Sequence, residues 1–243
     1  MTPSQPTPNV ARYRLRWRRL LRFVAQRLVL RTMLALLTRT TAEGYDNIVG
    51  LRPPFVVVAN HCSHLDTVVI VSKLPYHAVR HLAVGAAADH FYTKRLNKLA
   101  TSLSFNAYPI HRDRAGQRPA KGLSRRLLAD GVPLLIYPEG TRSRDGSIGD
   151  FRPGAAALCV EAGVPCVPVA LHGTGVAMPV GRSWPLAGRP AVHMTIGTPM
   201  TPTPSDDAEA FNARVAAAVA ALYRRPAMQL RFAVVPAIGV RAC

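Results

Sequence analysis

A histidine and an aspartate stand five positions apart directly after a short apolar run, in the segment Asn60-His61-Cys62-Ser63-His64-Leu65-Asp66. A carboxylate can fix the tautomer of an imidazole at one ring nitrogen and leave the other nitrogen able to take a proton. If a helix begins near residue 64, a tight turn can bring Asp66 back to His61. The pair therefore predicts a general base that acts on a substrate hydroxyl.

Spacing alone leaves other interpretations of these residues open. Asp66 could be an ordinary helix N-cap and His61 a residue that merely ends a strand. Cys62 could be an acyl-accepting nucleophile, although neighbours in an extended segment point to opposite sides, so that His61 could not easily reach it. A metal site made of His61, His64 and Asp66 is also conceivable, but their spacing matches no recognised ligand set.

A second group of candidates follows another apolar run, in Tyr137-Pro138-Glu139-Gly140-Thr141-Arg142. Gly140 permits a tight turn, whose exposed backbone N–H groups would form a concave anion site together with Arg142. No catalytic role follows from the residues for Glu139, whose structural interpretation is an ion pair with a neighbouring arginine. The segment therefore predicts an anion-binding turn.

Arg112 is the candidate for a second contact with the same anion, at the end of Tyr108-Pro109-Ile110-His111-Arg112. Two guanidinium groups that hold a phosphate would position an adjacent hydroxyl against His61. The two groups of candidates together predict chemistry on a hydroxyl of a phosphorylated molecule.

These segments, in this order along residues 55–172, resemble the motif blocks of the glycerolipid acyltransferase family. Residues 60–66 resemble its Asn-His-x-x-x-x-Asp motif, and residues 137–142 its Phe-Pro-Glu-Gly-Thr-Arg block with Tyr in place of Phe. Residues 108–112 resemble the block that ends in a phosphate-contacting arginine, and residues 164–169 the proline-containing strand. The best-known bacterial member of this family acylates lysophosphatidic acid.

The resemblance implies an enzyme that moves a fatty acyl group from acyl-CoA or acyl carrier protein to the free sn-2 hydroxyl of 1-acylglycerol-3-phosphate, giving phosphatidic acid for phospholipid biosynthesis. The thioester is a co-substrate, and neither a metal nor a bound cofactor is expected. The implied site residues are the catalytic His61 and Asp66, the phosphate-binding Arg112 and Arg142, and the motif residues Glu139, Gly140 and Thr141, with an oxyanion-binding or structural role.

Two alternatives to this function remain. The same motifs would serve an acyltransferase for another lyso-lipid, such as an ornithine lipid or a lysophospholipid. A basic membrane- or nucleic-acid-binding protein on an inactive scaffold would also fit the charge, although an intact His61–Asp66 pair has no purpose there. The expected partners are lysophosphatidic acid, an acyl thioester, an anionic membrane surface and acyl carrier protein, and no nucleic acid.

The charge and the cysteines indicate where such an enzyme would work. The chain has 31 basic and 13 acidic residues, a net charge of +18, which implies a polyanionic partner. None of its four cysteines belongs to a C-x-x-C pair, and their apolar neighbours predict buried free thiols in a reducing compartment. We therefore expect a peripheral protein on the cytoplasmic face of the cell membrane.

The segment from Val10 to about Thr40 has helical periodicity and contains no acidic residue. Arginines surround an apolar stripe that predicts a helix in the headgroup region of a membrane, with its arginines on lipid phosphates. The alternative is a helix packed on the domain, with solvated arginines. The stripe consists of Tyr13, Trp17, Leu20, Leu21, Val24, Leu28 and Leu34.

Beyond this segment, short β-branched runs alternate with helical patterns, which predicts an α/β fold with a mixed, mainly parallel sheet flanked by helices. We expect a membrane-associating segment at 1–45, the acyltransferase domain at 46–228 and an apolar tail of unassigned role at 229–243. The predicted strands are 55–59, 134–137, 166–171, 192–196 and, more weakly, 79–84. The predicted helices are 67–73, 90–102, 120–129, 154–162 and 206–224.

Overall fold

Seven strands form one mixed sheet in the computed structural model, which describes residues 10–87, 104–110 and 121–224. In chain order they are β1 (Arg39–Glu43), β2 (Val56–Ala59), β3 (Ala83–Ala87), β4 (Tyr108–Ile110), β5 (Leu134–Ile136), β6 (Cys166–His172) and β7 (Ala191–Ile196). The spatial order is β1-β7-β6-β2-β5-β3-β4, and every neighbouring pair is parallel except β6–β7. The predicted α/β class with a mixed, mainly parallel sheet is confirmed.

Helices cover both faces of the sheet. They are α1 (Arg16–Phe23), α2 (Arg31–Leu37), α3 (Asp46–Val49), α4 (Leu65–Lys73), α5 (Tyr76–Val79), α6 (Lys121–Ala129), α7 (Gly154–Ala162), α8 (Thr174–Ala177) and α9 (Ala208–Arg224). A 3₁₀ turn, Val10–Tyr13, precedes α1, and a π-helical segment, Val24–Leu30, joins α1 to α2. One core lies under α2 to α5 and α8, and the other under α6, α7 and α9.

The sequence of β2 explains its central place in the sheet. All four of its residues are buried, because both faces of the strand are covered by helices. Val57 and Ala59 belong to the core under α4, while Val56 and Val58 belong to the core under α7 and α9. An uninterrupted apolar run is therefore what this position requires.

The strand order brings the two predicted motifs to one edge of the sheet. Strands β2, β5 and β6 are parallel, so their carboxyl ends lie side by side, and we call this the carboxyl edge. His61 follows β2 and Glu139 follows β5. In open α/β sheets, ligand sites form outside the carboxyl ends of the strands. The fold therefore supplies a common location for both groups of candidates.

The amino-terminal helix ends earlier than its periodicity predicts. Helix α2 stops at Leu37, where Thr38 adopts an extended conformation, and the residues that follow form β1 along β7. β-Branched threonines at 38, 40 and 41 favour this conformation. Predicted helices 154–162, 120–129 and 206–224 correspond to α7, α6 and α9, whereas 90–102 and the tail 229–243 lie outside the described residues.

Two of the amino-terminal arginines bind the protein, which corrects the expectation that they lie on lipid phosphates. Arg22 is buried and donates to Asn106 Oδ1 at 3.0 Å and to the Tyr13 carbonyl at 3.1 Å. Arg27 donates to the carbonyls of Ser72 and Leu74, at 3.0 and 2.6 Å. Burial and the nearby Arg18 lower the pKa of Arg22 to about 10, which leaves it charged at neutral pH. These guanidinium groups fasten the helix to the domain.

The predicted apolar stripe divides into two faces. Leu34 is buried in one core because α2 packs along α4, and Tyr13 is buried in the other because the 3₁₀ turn packs on α6. The other members of the stripe are exposed: Trp17, Leu20, Leu21, Val24 and Leu28. Their apolar neighbours Leu15, Phe23, Val29, Leu36 and Leu37 are exposed as well. The helical segment therefore presents an apolar outer surface. Within the described residues, no helix has the length and apolar character that a membrane span requires.

Replacing Arg22 by Ala should destabilise the fold, because it removes the donors that satisfy the Tyr13 carbonyl and Asn106. We expect a loss of about 2–4 kcal/mol in the free energy of unfolding, measured by denaturant titration. Arg16→Ala is the matched control, since Arg16 lies on the same helix and is exposed. An equal and small effect of both substitutions would contradict the fastening role of Arg22.

Candidate functional site

His61 and Asp66 are in direct contact at the carboxyl edge. Nδ1 of His61 lies 2.8 Å from Oδ2 of Asp66, and the aspartate is fully buried while the imidazole is partly exposed. Because a carboxylate can only accept a hydrogen bond, Nδ1 carries the proton and Nε2 presents a lone pair. The structure thus brings together the two residues that the sequence predicts as a general base and its orienting carboxylate.

The turn between the two residues is organised by the same carboxylate oxygen. Oδ2 of Asp66 also accepts from the backbone N–H groups of Cys62 and Ser63, each at 2.8 Å. Ser63 closes the turn, since its Oγ accepts from the Leu65 N–H at 3.1 Å and donates to the Met178 carbonyl at 2.6 Å. Asp66 lies inside the first turn of α4, so it is not the helix N-cap of the alternative interpretation.

Tyr137 supports the imidazole from its face. The rings of Tyr137 and His61 are stacked, with centroids 4.0 Å apart and planes 16° from parallel. The phenol oxygen is 2.9 Å from Oγ1 of Thr67 on α4, which prevents the ring from rotating away. Burial and the negative charge of Asp66 raise the pKa of Tyr137, so the phenol stays protonated. The tyrosine that replaces a phenylalanine of the family block therefore gains a hydrogen bond.

Asn60 fixes the end of β2 to β6. Its side-chain oxygen accepts from the Leu171 N–H at 2.8 Å, and its amide nitrogen donates to the Leu171 carbonyl at 3.0 Å. All of these groups are buried. The side chain continues the ladder between the two strands where the backbone of β2 turns away, so the position of His61 is fixed relative to the sheet.

Glu139 joins the second motif to the first. Its Oε1 accepts from the His61 N–H at 2.7 Å, and its Oε2 accepts from the Gly149 N–H at 3.0 Å. Burial raises the pKa of this carboxyl, and the two backbone donors oppose that shift. The contacts observed for Glu139 are with backbone groups, in place of the arginine that the structural interpretation proposed.

The turn after Glu139 passes close to His61. Gly140 has a φ of +71°, a left-handed conformation that favours glycine, and its N–H donates to the Tyr137 carbonyl at 3.1 Å. The Ser143 N–H donates to the His61 carbonyl at 2.8 Å. Arg142, the residue before Ser143, is therefore held beside the histidine segment with its side chain half-buried.

The structure does not describe every predicted residue. Arg112 lies outside the described residues, although β4, which precedes it, ends at Ile110 on the outer edge of the sheet. Thr141 is exposed, and among the described residues it has no contact that explains its place in the motif. The geometry therefore brings together His61, Asp66, Glu139, Gly140 and Arg142.

The geometry supports neither a nucleophilic Cys62 nor a metal site made of His61, His64 and Asp66. The Cys62 thiol is buried, and burial, with Asp66 and Glu139 adding to the effect, raises its pKa to about 11. A thiol that is protonated at neutral pH is a poor nucleophile. In the described part of the chain, no three His, Cys, Asp or Glu side chains are grouped as a metal ion would require.

A cavity of about 180 Å³ adjoins this segment. Cys62 contributes to one wall, and the chain that follows β6 contributes another. Tyr223 from α9 also lines it and donates to the Gly146 carbonyl at 2.8 Å. The lining further includes Ser143, Arg144, Asp145, Leu171, Gly173, Thr174, Gly175, Val176, Pro179 and Val180. Space for a ligand is therefore present next to the His61 segment.

Sequence reasoning missed the supporting roles of Asn60, Tyr137 and Ser63. Asn60 carried a usable signal, since a polar residue directly after a buried strand must find a hydrogen-bond partner. The partner itself, Leu171, is 111 positions away and could not be identified from spacing. The stacking of Tyr137 on His61 likewise depends on β2 and β5 being neighbours in the sheet.

Comparison with known proteins gives a family match. The model of the family described as acyltransferase matches residues 39–172, which is more than half of the chain. The matched region contains β1 to β6. It includes the site residues Asn60, His61, Asp66, Tyr137, Glu139, Gly140 and Arg142.

Curated relatives match the same part of the chain. A 1-acyl-sn-glycerol-3-phosphate acyltransferase of Chlamydomonas reinhardtii is 35% identical over 150 residues, which cover 59% of this chain and 42% of the relative. The alpha form of such an enzyme from Ovis aries is 35% identical over 124 residues, covering 49% of this chain and 40% of the relative. The chain thus spans about two fifths of the length of these relatives.

A solved structure has the same fold. The crystal structure of the 1-acyl-sn-glycerophosphate acyltransferase of Thermotoga maritima superposes with a TM-score of 0.66 and is 23% identical in sequence. The superposition covers 90% of this chain and 88% of that one. At this identity the match establishes the fold.

Replacing Glu139 by Gln should weaken the connection between the two motifs. An amide offers one acceptor oxygen, so the N–H of either His61 or Gly149 would face the NH₂ group and lose its partner. We expect the free energy of unfolding to fall by about 1–3 kcal/mol in denaturant titration. Asp150→Asn, which neutralises an exposed carboxylate in the same loop, should leave stability nearly unchanged. Comparable losses in both variants would rule out the bridging role.

Proposed function

The chain belongs to the acyltransferase family, and from this premise we propose that it transfers a fatty acyl group to the sn-2 hydroxyl of 1-acylglycerol-3-phosphate, giving phosphatidic acid. The donor is acyl-CoA or acyl carrier protein. The observation that carries the proposal is the buried Asp66 carboxylate on Nδ1 of His61, which leaves Nε2 as a proton acceptor. The names of the relatives in Chlamydomonas reinhardtii and Ovis aries support the choice of acceptor.

The proposed reaction is a direct transfer. Nε2 of His61 takes the proton of the sn-2 hydroxyl while its oxygen attacks the thioester carbonyl carbon. The tetrahedral intermediate then collapses, the carbon–sulfur bond breaks, and the imidazolium returns the proton to the departing thiolate. Asp66 stabilises the imidazolium that exists between these two proton transfers. The protonated, buried Cys62 thiol argues against a covalent acyl-enzyme.

Arg142 is proposed to bind the phosphate of the acceptor. Arg142 is a half-buried residue of a turn that is held beside the His61 segment by the hydrogen bond from the Ser143 N–H to the His61 carbonyl. A bidentate guanidinium–phosphate contact would orient the glycerol backbone as well as attract the charge. Arg112 is proposed as the second phosphate ligand from the sequence motif alone.

The oxyanion of the tetrahedral intermediate is proposed to bind backbone N–H groups of the turn. Gly140 does not fit this role, because its N–H is donated to the Tyr137 carbonyl. The N–H groups of Thr141 and Arg142 are the next donors along the turn and are our candidates. Donors of this type typically contribute about 3–4 kcal/mol of transition-state stabilisation.

We also propose that the protein works at an anionic membrane surface, as a peripheral protein on the cytoplasmic face. The exposed apolar face of α1, the π-helical segment and α2 supports this, together with the net charge of +18. The free, buried thiols of Cys62, Cys159 and Cys166 fit a reducing compartment.

His61→Ala should abolish most of the transfer from an acyl-CoA to lysophosphatidic acid. Losing a positioned general base costs on the order of a hundred- to ten-thousand-fold in rate. Cys62→Ala, at the neighbouring buried position, should retain at least a tenth of the wild-type rate, about the level expected of a packing change. The rates are compared by following product formation with radiolabelled donor.

The opposite ranking of these two variants would overturn the direct mechanism and favour a covalent one. Wild-type protein that is inactive on lysophosphatidic acid but active on another lyso-lipid would correct the acceptor and keep the reaction class. Competition between the two acceptors in one assay distinguishes these cases.

Arg142→Ala should raise KM for lysophosphatidic acid by about ten- to a hundredfold, since charge-assisted bonds to phosphate are worth about 1.5–3 kcal/mol. The KM for the acyl donor should change much less. Arg126→Ala on α6 is the control, because it removes one exposed positive charge far from the carboxyl edge. Equal effects of the two substitutions would indicate that only net charge matters.

Vesicle flotation tests the membrane proposal. The protein should float with vesicles that contain anionic phospholipid, and raising the salt concentration should weaken but not eliminate binding, because both charge and apolar surface contribute. Retention on DNA at the same salt without any flotation would instead support a nucleic-acid-binding protein.

A further inference from the structure

We propose that the segment 173–190, which connects β6 to β7, is a second membrane-contacting element that places the cavity next to the His61 segment against the phospholipid bilayer. This inference rests on the proposed membrane association of the amino-terminal helices. It adds a surface of the catalytic domain itself. We refer to this segment as the β6–β7 loop.

The β6–β7 loop is a folded structure that leaves the carboxyl edge. It begins at Gly173, continues into α8, and turns back so that the Leu186 N–H donates to the Ala177 carbonyl at 2.7 Å. Its Met178 carbonyl accepts from Ser63 Oγ of the His61 segment at 2.6 Å. Ala177 and Met178 are buried in the core under α4. These contacts fix which side chains of the loop face outward.

Four of the outward side chains are apolar. Val176 is 73% exposed and Trp184 is 58% exposed, and Val180 and Leu186 are exposed as well. Single exposed apolar residues are common on soluble proteins, but four within eleven positions form a patch. A tryptophan among aliphatic residues is the composition typical of segments that lie at a membrane interface.

The charge of the loop matches an anionic lipid surface. Residues 173–190 contain Arg182 and Arg189 and no acidic residue. Both arginines are exposed, and Arg182 can reach lipid phosphates while the apolar side chains enter the headgroup region. A protein partner with an apolar, acidic face would satisfy the same chemistry. The hydrogen bonds between the loop and helix α2 favour a bilayer instead.

Two hydrogen bonds connect the β6–β7 loop to the amino-terminal segment. Arg189 donates to the Ala35 carbonyl of α2 at 2.8 Å, and the Arg39 N–H donates to the Pro190 carbonyl at 3.0 Å. Leu36 and Leu37, next to Ala35, are exposed apolar residues. The end of the loop and the end of α2 thus lie at the same edge of the sheet, where one extended surface can contact the apolar side chains of both.

The loop also borders the cavity beside His61. Val176 and Val180 line this cavity together with Cys62. A lipid acceptor in the bilayer could therefore reach the site along the loop without crossing water. This arrangement identifies the physical form of the substrate as a lipid in a membrane, in preference to a dispersed monomer.

Tryptophan fluorescence tests the proposal directly, because the chain has two tryptophans, Trp17 on α1 and Trp184 on the loop. Trp17→Phe leaves Trp184 as the single reporter, and Trp184→Phe leaves Trp17. Each protein is mixed with vesicles of phosphatidylcholine and phosphatidylglycerol, with and without brominated acyl chains, and binding is measured by co-sedimentation. We expect the Trp184 emission to move to shorter wavelength and to be quenched by the brominated lipid.

The outcomes separate this inference from the proposal on which it rests. Vesicle binding with Trp17 quenched by brominated lipid, but with Trp184 still quenched by aqueous iodide, would overturn the role of the loop and leave the amino-terminal contact intact. Absence of vesicle binding in both proteins would overturn both. Quenching of both tryptophans by brominated lipid supports the loop as a second contact.

A pair of charged substitutions provides an independent measurement. Val176→Asp introduces a carboxylate into the loop, and Val49→Asp introduces one at a similarly exposed position, 61%, in α3. Helix α3 follows the carboxyl end of β1, and the antiparallel β6–β7 pairing puts this end opposite the carboxyl edge. We expect Val176→Asp to weaken vesicle partitioning about tenfold and Val49→Asp to change it little. Equal effects of the two substitutions would contradict the proposal.

Discussion

The site depends on one buried carboxylate oxygen that accepts three hydrogen bonds. Oδ2 of Asp66 binds the imidazole of His61 and the backbone N–H groups of Cys62 and Ser63. A buried charge is costly unless donors surround it, and here the donors are also the groups whose positions matter. The same contact therefore stabilises the turn, starts helix α4 and selects the histidine tautomer.

Three further residues fix the position of the His61 segment. Asn60 holds the strand end to β6, Glu139 holds the backbone of His61 to the loop after β5, and Tyr137 stacks on the imidazole. Asn60 follows β2 and contacts β6, whereas Tyr137 and Glu139 both follow β5, so the site exists only when β2, β5 and β6 are aligned. This is why a parallel sheet suits chemistry that requires a fixed base beside an anion-binding turn. The exposed apolar surfaces of α2 and the β6–β7 loop lie at the same edge, which is the edge that we propose contacts the membrane.

The sequence predicted the local parts of this arrangement and missed those that depend on distant partners. The His61–Asp66 contact was predictable because five residues and a turn determine it, and the strands at β2, β5, β6 and β7 followed from short β-branched runs. The partners of Glu139 are backbone groups, one of them 78 positions away, and no side-chain pattern reveals them. Two arginines of the amino-terminal segment, Arg22 and Arg27, were misjudged for a similar reason. Periodicity shows which face is apolar, but it does not show that carbonyls of Ser72 and Leu74 would accept from Arg27.

The most direct test of this account is the tautomer of His61 in the folded protein. Long-range proton–nitrogen correlation spectra of histidine-labelled protein at mildly alkaline pH report which ring nitrogen is protonated, and the His61→Ala spectrum identifies the signal among the eight histidines. We predict protonated Nδ1 and unprotonated Nε2, with loss of this preference in Asp66→Asn. A wild-type His61 protonated at Nε2 would contradict the account, because the nitrogen that faces the substrate could not then accept its proton.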